Sequence, residues 1–119
     1  MLVYLTTMSC VGIVSSMPAK LLFDRRVSLS EQEFVELVLW QVPEPVQGSQ
    51  HLFKYRMAFV VKGVCVLRYD NEAGKGDHKH INSKECPYAF TCPNQLVADF
   101  LEDVMRWRHD NRHTRCALA

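Results

Sequence analysis

The sequence has almost no charge imbalance: 14 Lys and Arg stand against 13 Asp and Glu, a formal net charge of +1. A chain so balanced has no global pull toward nucleic acid, so any such affinity must be local. CxxC pairs are absent, and the five cysteines (Cys10, Cys65, Cys86, Cys92 and Cys116) are odd in number and irregularly spaced. That argues against a disulfide framework and fits reduced thiols in a cytoplasm. Internal repeats and low-complexity tracts are also missing, and no run is apolar and long enough for a confident membrane span. At 119 residues the chain is one domain by length, large enough to bury a core without metal or disulfide staples.

Met1–Ser16, MLVYLTTMSCVGIVSS, carries no charge. It lacks the basic start and the small-residue cleavage site of a signal peptide. It reads as an upstream extension, with Met17 as the natural start. The expected organisation is then residues 1–16 as an apolar leader, 17–110 as a single domain and 111–119 as a basic tail.

Within that domain Ala19–Leu29 alternates loosely and Phe34–Trp40 is β-branched and aromatic, so both read as strands. Pro43, Pro45 and Gly48 enforce a loop. Lys54–Val61 and Val64–Tyr69 flank Lys62-Gly63, a two-residue connection suited to a tight hairpin. Lys79–Ile81 is expected to rejoin the sheet briefly, with Pro87 and Pro93 bracketing a connection. Leu96, Val97, Phe100, Leu101, Val104 and Trp107 follow helical spacing and predict a helix from about Pro93 to about Asp110, N-capped by Thr91. The fold class is α+β: an antiparallel meander of about four strands packed against a C-terminal helix in two layers. Trp40 and Trp107 read as core, and Cys86 and Cys92 as small buried hydrophobes.

The chemistry concentrates in Arg68–Ile81, RYDNEAGKGDHKHI. His78 and His80 stand two apart, which on an extended chain puts both rings on one face. Gly74 and Gly76 allow positive φ or close approach to a ligand. Two chemistries compete for these residues. In metal-independent RNA cleavage one imidazole takes the proton of a ribose 2′-OH, the other protonates the 5′-oxygen, and a cation stabilises the developing phosphorane charge. The alternative is a divalent metal held by Asp70, Asp77, His78 and His80, although no recognised zinc spacing is present and the nearby lysines oppose a cation. Acid–base chemistry is ahead, which makes His78, His80, Lys75, Arg68 and Asp77 the catalytic candidates and calls for no cofactor. Tyr69, Asp70, Asn71 and Lys79 join Lys54, Tyr55 and Arg56 of the partner strand as substrate-binding candidates, a basic and aromatic patch of the kind RNA contacts require. Met105–Arg115 adds a second basic cluster, read mainly as a solvated helix end.

Several segments together resemble the TumE-type toxins of bacterial toxin–antitoxin modules. They are VPEPVQGS (Val42–Ser49), HLFKYRMAFV (His51–Val60), RYDNEAGKGDHKH (Arg68–His80), PYAF (Pro87–Phe90) and LVADFLEDV (Leu96–Val104). The likeness runs from about Met17 to about Trp107. It implies a growth-inhibiting toxin of a type II module neutralised by a cognate helix-turn-helix antitoxin. An RNA target is consistent with the residues; a binding toxin that blocks its target through the same loop without catalysis, and a metal-dependent nuclease, are the competing readings.

Overall fold

The computed structural model describes residues 18–72 and 74–118. The leader expected over Met1–Ser16 lies outside the described residues. Six strands form one antiparallel sheet in sequence order: β1 (Lys20–Ser30), β2 (Glu33–Gln41), β3 (Phe53–Val61), β4 (Val64–Asp70), β5 (His78–Ile81) and β6 (Lys84–Pro87). One helix, α1 (Pro93–Leu118), follows. The α+β meander is as expected, with two strands more than the sequence suggested. β5 is longer than its brief rejoining implied, and β6 occupies ground expected to be a connection. Asn82, at φ 59, turns the chain between them; short-side-chained Asn tolerates that left-handed conformation.

The hairpin at Lys62-Gly63 forms as expected, with both residues at positive φ (50 and 80), the geometry that matches the twist of its strands. Between Phe59 and Val60 the β3–β4 register slips by one residue, so Phe59 faces Leu67 and Val60 faces Cys65. Beyond this bulge Leu67 and Tyr69 point one way, and Arg68 and Asp70 the other.

α1 covers one face of the sheet. Leu96, Phe100 and Val104 meet Val35, Leu39, Tyr55, Met57, Phe59, Leu67 and Tyr69 in a single buried cluster, with Trp107 edge-on to Phe59. Each such side chain contributes about 1.5–3 kcal/mol by leaving water. Leu101, expected on the buried face, is 39% exposed, and Trp40 lies half-buried outside this cluster. The helix opens at Cys92, whose carbonyl accepts from Leu96 N at 3.0 Å, one residue later than the Thr91 cap expected. It then runs past Asp110 to Leu118. Cys65, Cys86 and Cys92 are free thiols, with Cys92 exposed rather than buried.

Because strand side chains alternate, the residues between the core positions project from the opposite, uncovered face. That face carries Arg26 and Glu36, then Lys54 and Arg56, then Arg68 and Asp70, then His78 and His80.

Candidate functional site

Strand register places the polar residues of the uncovered face in two cross-strand rows. Arg56, Asp70, His78 and Pro87 stand opposite one another across β3, β4, β5 and β6. Ala58, Arg68, His80 and Glu85 form the neighbouring row. The loop residue Lys75 closes the group, its Nζ 3.3 Å from both carboxylate oxygens of Glu85. β5 starts at His78, one residue before the Lys79–Ile81 stretch expected to rejoin the sheet, so both imidazoles sit on it.

The two imidazoles are held differently. The His78 side chain is 6% exposed, with Nε2 2.9 Å from Asp70 Oδ1 and Nδ1 2.8 Å from the carbonyl oxygen of Gly76. A carbonyl oxygen and a carboxylate thus claim both nitrogens of the ring, and hold its plane in place. His80 packs edge-on to it at a ring separation of 5.1 Å. Its Nε2 is buried without a hydrogen-bond partner among the described residues; Glu85 Oε2 lies 3.9 Å away. Arg68 Nε is 2.8 Å from Asp70 Oδ2, an ion-pair contact out of line for a hydrogen bond, which leaves that N–H also without an acceptor. Burial by itself would raise the Glu85 carboxyl, but the Lys75 ammonium, with His80 and His78, outweighs it and holds the group below its usual range. One small patch thus joins an imidazole with an unclaimed nitrogen, an imidazole held at both nitrogens, and two cations each paired with a carboxylate.

Asp77, expected beside the histidines, lies in a second cluster. Its carboxylate accepts from Ser49 Oγ at 2.8 Å, His51 Nε2 at 2.8 Å and Tyr55 OH at 2.6 Å. His51 in turn accepts from Phe53 N through Nδ1 at 3.2 Å and stacks on Phe90 at 3.7 Å. Both nitrogens of His51 are thereby committed to holding the β2–β3 connection. Burial, then the Asp77 hydrogen bond, pushes the Tyr55 phenol far above its ordinary value. Asn71, fully buried, bridges Tyr55 N, Phe53 O and Ser49 Oγ.

Of the remaining candidates, Tyr69 and Lys79 face the helix. Tyr69 OH donates to Asp103 Oδ2, and Lys79 Nζ is 3.3 Å from the same atom. The structure therefore gathers Arg68, Asp70, Lys75, His78, His80 and Arg56 on one face, with Lys54 flanking them beside Glu72. Asp77, Tyr55, Asn71, Tyr69 and Lys79 fall outside that group. The metal set expected from sequence is divided too, since Asp77 is turned to its own three donors.

A family model described as Toxin TumE matches residues 18–108, which include every residue of both clusters. The chain belongs to the TumE toxin family. Membership makes it the toxin of a module whose partner is an antitoxin. Searches of curated proteins and of solved structures find no match. Among the described residues no helix is long and apolar enough to cross a membrane. In this TumE-family chain, sequence reasoning passed over Glu85, Ser49 and His51 as site residues. Glu85 sits in an unrecognised strand, and His51 stands alone after a Pro/Gly loop, where nothing local announces its partner 26 residues on.

Proposed function

We propose that this toxin inhibits growth as a metal-independent endoribonuclease, with His80, His78, Lys75 and Arg68 acting on RNA laid across the uncovered face of the sheet. One observation carries the reading: an imidazole nitrogen with no hydrogen-bond partner among the described residues (His80 Nε2) stands beside a second imidazole held by Asp70 and the Gly76 carbonyl (His78) and cations fit for phosphate. His80 takes the proton of the ribose 2′-OH as its oxygen bonds to phosphorus. Nε2 of His78 exchanges its Asp70 contact for the departing 5′-oxygen and returns a proton to it, leaving a 2′,3′-cyclic phosphate and a 5′-hydroxyl. Lys75 and Arg68 stabilise the charge on the non-bridging oxygens. Arg56 and Lys54, 43% and 46% exposed at their side chains, track the backbone along β3. Asp70 orients His78. Asp77 acts at one remove, by fixing the loop that ends in Gly76.

The partner in this reading is a cognate helix-turn-helix antitoxin that masks the face in the cytoplasm, as in a type II module. The test is incubation of purified protein with cellular RNA in excess EDTA, with mapping of new ends. Cleavage with cyclic-phosphate ends, lost in His80→Ala, is expected. Growth arrest without new RNA ends would overturn it in favour of a binding toxin, and cleavage abolished by EDTA would overturn it in favour of a metal nuclease.

A further inference from the structure

We propose that His78, His80 and Glu85 also form an inhibitory site for a divalent cation of zinc type, an inference that rests on the nuclease reading for its inhibitory consequence and not for its binding. Three donor atoms, one from each residue, lie within 4.8 Å of one another. His78 Nε2 is 3.8 Å, and His80 Nε2 3.9 Å, from Glu85 Oε2. Tetrahedral bonds of about 2.0–2.1 Å separate neighbouring ligand atoms by roughly 3.3 Å, so each imidazole nitrogen has to approach Glu85 Oε2 by about half an ångström. The register makes those movements concerted. His80 faces Glu85 directly across β5 and β6, and His78 lies one pleat along on the same face.

An independent sign of a ligand is the unpartnered His80 Nε2, since a buried nitrogen left without a hydrogen bond is uncommon. Two imidazoles and a carboxylate are borderline N/O donors suited to zinc, and three protein ligands leave the fourth position open to water. Binding has two competitors in place. Lys75 holds both oxygens of Glu85, and Asp70 holds His78 Nε2. Zinc displaces Lys75 into solvent, where its exposed side chain readily goes, and takes the place of Asp70 at His78 Nε2. The bound ion then occupies the nitrogens that proton transfer requires, so it suppresses RNA cleavage.

The experiment is titration of the full chain, purified free of metal, with zinc by calorimetry and with cobalt(II) by visible spectroscopy. Stoichiometric uptake with tetrahedral cobalt bands is expected, lost in His80→Ala and in Glu85→Gln. Lys75→Ala is expected to tighten binding severalfold, because it removes the cation competing for Glu85. Absence of stoichiometric uptake, uptake that persists in both ligand variants, or a thiolate charge-transfer band placing the ion on Cys86 or another cysteine overturns the site. RNA cleavage by a protein that takes up no zinc, or that cuts equally well with zinc bound, defeats this inference alone, whereas zinc uptake by a protein whose metal-free form cuts no RNA supports the site and defeats the nuclease reading.

Discussion

Gly48 and Gly76 press backbone to backbone. A Cβ on Gly48 would stand 2.5 Å from Gly76 N, and one on Gly76 would stand 2.7 Å from Gly48 O. Both residues hold positive φ, at 92 and 79. The glycines of the Arg68–Ile81 segment read from sequence as room for a ligand; at Gly76 that room is filled by the loop before β3. This contact sets Asp77 among Ser49, His51 and Tyr55, and brings the Gly76 carbonyl to His78.

Gly76→Ala therefore clashes with unyielding backbone as well as adopting a strained φ. The cost expected is upwards of about 1–3 kcal/mol, with a fall of several degrees in melting temperature. Gly63→Ala is the comparison, since Gly63 has φ 80 but nothing within 4 Å of an added Cβ. Thermal melts should rank Gly76→Ala well below Gly63→Ala. Equal losses would mean that φ alone matters and that the interloop contact contributes nothing.

The two histidines should separate in the same assay. His78→Ala strips Asp70 and the Gly76 carbonyl of their donor in a buried setting, costing about 1–3 kcal/mol. His80→Ala removes a ring whose Nε2 has no hydrogen-bond partner among the described residues, so its melt should stay near wild type while cleavage falls by about 10²- to 10⁴-fold. Two solvent-facing imidazoles would instead make both variants stable. Paired melting and cleavage measurements decide it, and an active, folded His80→Ala removes the catalytic reading.

The legible parts of this chain were those with local signals. Lys62-Gly63 announces its hairpin through the positive φ that the turn demands, and Leu96, Phe100 and Val104 announce the buried helical face. β6 gives no such signal: Lys84–Pro87 is short, charged and ends in proline, and it is a strand only because β5 offers it an edge. The site was half legible for the same reason. The His78–His80 spacing fixes a shared face once the chain is extended, but which of Asp70 and Asp77 joins them depends on the β4 bulge and on the contact at Gly48. Tyr69 and Lys79 carried RNA-binding chemistry by type, yet alternation on β4 and β5 turns both toward α1.

Tyr55, Tyr69 and Tyr88 each donate to a carboxylate, namely Asp77, Asp103 and Asp99. Burial first, and then these hydrogen bonds, push all three phenols well above the ordinary value of 10.0. An acid whose folded value is raised keeps its proton in the fold after the unfolded chain has lost it. Stability is thus fully present below pH 10 and declines as pH climbs beyond it. Phenolate absorbance from these tyrosines should appear together with loss of circular dichroism. Phenolate formation in a chain that stays folded would contradict the three hydrogen bonds.

Lys75 and Glu85 give the last prediction, because their contact places a carboxylate among the groups meant for phosphate. Lys75 is exposed at 55% of its side chain and Glu85 at 36%, so the pair is a solvated, exchangeable bridge and not a structural staple. Glu85→Gln keeps the shape of the side chain, removes the negative charge from the face and frees the ammonium. RNA affinity should then rise severalfold at low ionic strength, with the gain shrinking as salt screens it. Lys75→Ala should weaken binding, flatten the salt dependence by about one phosphate contact and depress cleavage, whereas Lys75→Arg should restore part of both, because the charge is kept while its position shifts. Anisotropy titrations of a labelled single-stranded RNA at several salt concentrations read all three variants. If Glu85→Gln binds no more tightly than wild type and Lys75→Ala no less, the backbone of the RNA does not pass this corner of the sheet, and the phosphate-binding role falls to Arg68 and Arg56 alone.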